Sequence, residues 1–180
     1  MLQKIQEKYN YTDYQMRVLK YVFTVFIGEF GKIVIMGCLF LKCYPLYLCC
    51  VLLLGTLRPS TGGVHCRTYL GCLAATAGYF ALCIYALPYI PISLMIRIGL
   101  LIACMGINYI IGPVVSKKHK PLSEKAVKHS LIRSFAVVSC FTIFTLINPY
   151  HEFAIAGFWI IIVNSIQLVI AKILRKEKKS

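Results

Sequence analysis

Apolar residues fill this chain in six long blocks, at about 21–41, 43–57, 68–87, 89–111, 131–148 and 153–173, with short turn-forming or charged stretches between them. Blocks that are apolar on every face suit helices with no water on any side. A membrane-spanning helix needs about 20 such residues. Five blocks reach or approach that length. The second is about 15 residues long, contains Pro45 and stops at Arg58, so it is expected either to cross a thinned bilayer or to be re-entrant. Before the blocks, Leu2, Ile5, Tyr9 and Thr12 recur at alternating three- and four-residue steps while Lys4, Glu7 and Lys8 take other faces. Residues 1–12 therefore read as an amphipathic helix lying at the interface, the alternative being a frayed tail. Thr12 and Gln15 form a capping-box pattern with Tyr11 and Met16 spaced as a staple, which predicts a helix starting near Asp13. Ser123 before Glu124 reads as the cap of the fifth membrane helix, and Asn148-Pro149 as its end. The fold class expected is all-α: a polytopic integral membrane helical bundle with six apolar segments and an N-terminal interfacial helix. It forms one membrane-embedded domain over 1–180, with a helical membrane core at 13–173 and a basic tail at 174–180.

Composition strengthens the membrane reading. The chain is 59% hydrophobic and 14% charged, with mean hydropathy +0.74, too apolar for a soluble domain of this size. The net charge of +14 comes from 20 Lys and Arg residues. They cluster between apolar blocks, a pattern that suits anionic membrane lipids and argues against nucleic acid. Basic residues precede the first block (Lys4, Lys8, Arg17, Lys20), surround the fourth-to-fifth connection (Lys117, Lys118, Lys120, Lys125, Lys128, Arg133) and close the chain. The connections LPYIP and NPYHEF carry none. The positive-inside rule then places both termini in the cytoplasm, with Lys42 as the one exception. Most of the aromatic residues lie within or at the edges of the blocks; the tyrosines there and Trp159 read as interface anchors.

The most polar cluster, RPSTGGVHCRTYLGC at 58–72, lies between the second and third blocks, on the cytoplasmic side. The nine cysteines are odd in number, mostly inside apolar blocks, and show no CxxC spacing, so neither a disulfide framework nor a metal site is expected. A reactive thiol needs a base or positive charge beside it, and only Cys66 and Cys72 lie close to a histidine, His65. On one straight helix His65 and Cys72 would share a face but stand about 10.5 Å apart along the axis, well beyond hydrogen-bond reach. Gly62-Gly63 removes the difficulty, because paired glycines permit positive φ and a chain reversal. If the helix begins near Thr68, His65 can fold back over its first turns. Cys72 then sits one turn in, near the positive end of the helix, with Arg58 and Arg67 adding potential that favours a thiolate. Cys66 is the rival nucleophile, although adjacent side chains diverge. Chance pairing of a His and a Cys is the plain alternative.

The motif R-x-x-x-G-G-x-H followed seven residues later by Cys, here Arg58, Gly62, Gly63, His65 and Cys72, resembles the accessory gene regulator B family. The loop GPVVSKKHKPLSEK resembles that family's basic loop, with Gly112 where alanine is common; Cys66 stands where alanine is frequent in the motif. The resemblance extends over most of the chain. It implies a membrane cysteine endopeptidase of Gram-positive bacteria that processes a small amphipathic quorum-sensing propeptide at the cytoplasmic side of the cell membrane. It implies Cys72 as nucleophile, His65 as base, and Arg58 and Gly63 as positions needed for activity. The acyl-enzyme thioester would be captured by a side chain of the peptide, closing a thiolactone or lactone ring. No cofactor is implied, and a homodimer is compatible with it.

Three features stay open at this level. Glu29, inside the first block, either orients His65, pairs with Arg58 or pairs with Lys32 on its own helix, and the last is the plainer reading. Lys117, Lys118 and Lys120 either bind the acidic part of a propeptide or serve only as a topology signal. A non-enzymatic transporter, exporter or lipid-binding scaffold would explain six spans and basic loops but not the Gly-Gly-His-Cys cluster.

Overall fold

A computed structural model describes residues 12–62, 68–113 and 123–177. Among them there is no strand, and six helices are long and apolar enough to cross a membrane. The protein is a multi-pass all-α membrane protein. The interfacial helix expected at 1–12 and most of the basic loop lie outside the described residues. Contacts divide the chain into two compact units, residues 1–42 and 43–180.

The described part of the first unit is chiefly α1, Asp13–Leu39. Its start is the expected capping box: Thr12 N–H donates to Gln15 Oε1 at 2.9 Å and Gln15 N–H to Thr12 Oγ1 at 3.4 Å. Two otherwise orphaned backbone donors are satisfied this way. Glu29 and Lys32 form an ion pair one turn apart, so the plainer reading of Glu29 holds. Val22, Phe23, Phe26, Ile27 and Phe30 are exposed. That is the surface expected of a helix whose solvent is lipid.

The second unit contains α2 (Tyr44–Thr61), α3 (Tyr69–Ala81), α4 (Leu94–Ile111), α5 (Glu124–Ile147) and α6 (Glu152–Glu177). A short 3-10 turn, Leu41–Cys43, leads into α2. The second apolar block is therefore longer as a helix than as a hydrophobic run. Pro45 stands in the first turn, where its missing N–H interrupts no bond. The backbone then continues through Arg58 and Pro59 to Thr61, and Leu41–Thr61 is long and apolar enough to span. Helix ends at a membrane surface tolerate charge, so an apolar run marks the minimum of a span rather than its limits. Helix α3 continues as a widened π turn, Leu82–Ala86, and a 3-10 turn, Leu87–Tyr89. As expected, Ser123 caps α5, accepting from Ala126 N–H at 3.3 Å, and Asn148 ends it. His151 Nδ1 accepts from Phe153 N–H at 3.2 Å at the start of α6.

Helix α6 is the centre of this unit. Half of its most apolar window is buried, against 28% or less for the other spans. Leu57 of α2, Leu101 and Cys104 of α4, Val138 and Phe141 of α5, and Phe158 and Ile161 of α6 form the core. Gly157 lets α6 approach closely: a Cβ there would overlap the Phe141 ring and meet Leu53 Cδ2 at 3.2 Å. Small residues at such contacts are how membrane helices pack when lipid removes the hydrophobic drive between them. Chain order alternates the helices. The end of α2, the start of α3, the end of α4 and the start of α5 share one end of the bundle. The connections 87–93 and 148–151 share the other.

Candidate functional site

The site is built where α2 gives way to α3. The last turn of α2 carries Arg58, and Gly62 closes it by donating its N–H to Arg58 O at 2.8 Å. Gly62 adopts φ 78 and ψ −162, a region open essentially to glycine alone. The positive φ predicted for the Gly-Gly pair thus occurs at its first member. Helix α3 restarts at Tyr69 with Thr68 as N-cap, whose Oγ1 accepts from Gly71 N–H at 3.2 Å. Cys72 is the fourth helical residue. Its N–H bonds Thr68 O at 3.0 Å, and its carbonyl accepts from Thr76 Oγ1 at 2.8 Å. The side chain is half-buried and not in a disulfide. The helix carrying Cys72 therefore begins four residues after His65. Gly63, His65, Cys66 and Arg67 lie outside the described residues, as do Lys117, Lys118 and Lys120, so the distance between His65 and Cys72 does too.

Polar groups that the hydropathy pattern passed over line the interior behind this turn. Thr61 is buried and bonds Leu57 O at 3.1 Å, and Asn164 Nδ2 of α6 donates to Thr61 Oγ1 at 3.4 Å. Asn108 Nδ2 donates to Ser134 Oγ at 3.4 Å, and Ser165 Oγ donates to Asn108 Oδ1 at 3.5 Å. Amides and hydroxyls between apolar helices hold each other because lipid offers no alternative partner. The signal for them was present in the sequence, since Asn108, Asn164 and Ser165 interrupt otherwise apolar blocks. Arg58 Nε and Ser60 Oγ are buried without a hydrogen-bond partner among the described residues. Unsatisfied buried donors of this kind cost free energy unless a ligand or water meets them. Tyr79, two turns beyond Cys72 on α3, lies within electrostatic reach of Arg58 and donates to Ile160 O at 2.7 Å. Among the described residues no cluster of His, Cys, Asp and Glu is arranged to hold a metal ion.

Comparison with known proteins identifies the family. The sequence model of the accessory gene regulator B family matches residues 1–169. A protein of Clostridium beijerinckii described as AgrB-like is 30% identical over 111 residues, which is 60% of this chain and 55% of that protein. The match thus spans little more than half the length of this relative. No solved structure matches. With a match from the first residue to 169 of 180, the chain belongs to the accessory gene regulator B family.

Proposed function

We propose that this protein is a membrane cysteine endopeptidase acting in quorum sensing, which cleaves a small amphipathic propeptide and promotes its cyclisation. The observation that carries this reading is the break between α2 and α3. Gly62 in a glycine-only conformation and a helix start at Tyr69 support a dyad of His65 and Cys72, which one continuous helix, holding them about 10.5 Å apart along its axis, would forbid. In this mechanism His65 takes the Cys72 proton and the thiolate attacks the scissile carbonyl. The C–N bond breaks, the amine leaves with the proton from His65, and the N-terminal part of the propeptide stays as a thioester. A thiol or hydroxyl of the bound peptide then attacks the thioester and releases Cys72. Holding both ends of the peptide makes this step intramolecular, and a site at the membrane surface limits competing hydrolysis. Arg58, with its buried Nε unpartnered, supplies a cation beside the reacting groups. The lysines Lys117, Lys118 and Lys120 serve the acidic part of the propeptide. The active site and both termini face the cytoplasm, where the propeptide is made.

Purified protein in liposomes, given a short amphipathic propeptide with an internal Cys, tests this by mass spectrometry of the products. Cys72→Ala and His65→Ala are each expected to abolish cleavage while inserting normally. The double variant is expected to be no worse than either single one, because members of a catalytic unit are not additive. Cleavage that survives Cys72→Ala would move the nucleophile to Cys66. A wild-type chain that binds the propeptide without cleaving it would favour a transporter or scaffold.

A further inference from the structure

The end of the bundle opposite Cys72 holds a buried cation with no counter-charge among the described residues. Arg97 lies in the first turn of α4 and is only 9% exposed. Its Nε donates to Ile92 O at 3.0 Å and its Nη1 to Pro149 O at 2.7 Å. Both acceptors are neutral carbonyls, and among the described residues no carboxylate pairs with it. A guanidinium has five N–H donors; two are used here, and the other three have no protein partner among the described residues. The two carbonyls fix the plane of the group, leaving its outer edge as a rigid fork. The position adds positive potential of its own. The N-cap Ser93 forms no capping bond, so the first-turn N–H groups of α4 add positive potential to the same place. An uncompensated arginine in a membrane bundle is costly and points to a ligand.

Beside Arg97 is an open cavity of about 370 Å³, whose walls include Ile92, Ser93, Tyr150, Phe158 and Trp159. One charged fork, two hydroxyl-bearing side chains and aromatic or aliphatic walls make an amphipathic site. We propose that this cavity binds a phosphate group of net negative charge, as carried by the headgroup of an anionic phospholipid. The guanidinium edge matches two phosphate oxygens side by side. The uncapped helix start favours the same anion, and the apolar walls accept the glycerol and upper acyl chain. The site is separate from the Cys72 region and does not depend on the proposed peptidase activity.

Trp159 is the single tryptophan of the chain and lines the cavity, so its fluorescence reports occupancy directly. The full-length protein in detergent micelles is titrated with brominated phosphatidylglycerol, with brominated phosphatidylcholine, whose choline cancels the phosphate charge, and with inorganic phosphate alone. Half-quenching is expected at about tenfold lower mole fraction of the glycerol lipid, the scale of one charged hydrogen-bonded contact. Arg97→Gln is expected to erase that preference, and Lys128→Gln, at the other end of the bundle, to keep it. Equal quenching by the two lipids in the wild-type chain overturns the proposal without any variant. So does a preference that survives Arg97→Gln in a chain of unchanged helical content. A saturable change with inorganic phosphate alone, lost in Arg97→Gln, supports the phosphate site and makes the free ion its source. No change with phosphate beside a strong lipid preference makes the lipid its source.

Discussion

Gly62 holds φ 78 and ψ −162, and Gly112 holds φ 66 and ψ −177, both in a region that a Cβ excludes. Forcing a side chain into such a conformation costs about 1–3 kcal/mol. Gly62→Ala is accordingly expected to abolish or sharply reduce propeptide cleavage while the chain still inserts, because the strain displaces the end of α2 and the path of the chain leaving it rather than removing a reacting group. Gly112 has open space around it, so Gly112→Ala tests strain alone. A lower thermal midpoint in detergent, with little loss of activity per folded molecule, is the expected result. The sequence anticipated a positive φ within the Gly-Gly pair from the need for a reversal. It did not anticipate one at Gly112, which read only as the start of a basic loop where other family members carry alanine. Whether a glycine is strained depends on where the preceding helix stops, and hydropathy does not resolve that to one residue.

At the scale of elements, the capping box at Thr12, the cap at Ser123 and the stop at Asn148 were all legible, because each rests on hydrogen bonds within four residues. The extent of α2 was not. Its apolar run ends at Leu57, yet the helix runs to Thr61 because the last turn packs on α6, where Asn164 meets Thr61. Packing likewise decides the role of Gly157. Seen along the chain it is one small residue in an apolar run; in the bundle it is the point where α6 touches Phe141 and Leu53. Gly157→Ala is expected to destabilise the protein by about 1–3 kcal/mol through overpacking, seen as a lower thermal midpoint. An unchanged midpoint would mean that the Phe141 ring swings aside at no cost.

For the whole molecule the testable quantity is sidedness. In a chain whose native cysteines are replaced by serine, single cysteines at Ser116 and Ser180 are expected to react only with reagents that enter the cytoplasm. One at Pro88, in the connection free of Lys and Arg, is expected to react from outside. Labelling of Ser180→Cys by an impermeant reagent on intact cells would mean an odd number of crossings. Within residues 43–180 the spans alternate in direction and place Cys72 and Arg97 at opposite ends, so the same experiment fixes which leaflet the Arg97 cavity faces.

The sequence by itself determined the class of the molecule, the number of apolar helices, the caps at Thr12 and Ser123, and the position of the Gly-Gly-His-Cys motif between the second and third. These follow from composition and from spacings of a few residues, and such short-range physics needs no knowledge of the neighbours. Only the tertiary structure decided that α6 is the centre of residues 43–180 and that Asn164 of α6 supports the turn before Gly62. It also decided that Arg97 is enclosed without a counter-charge among the described residues. Each of these joins residues distant along the chain, such as Thr61 with Asn164 and Arg97 with Pro149. Apolar blocks record that helices are surrounded by lipid or by one another. They do not record which helix is inside, because in a membrane both surroundings select the same residues.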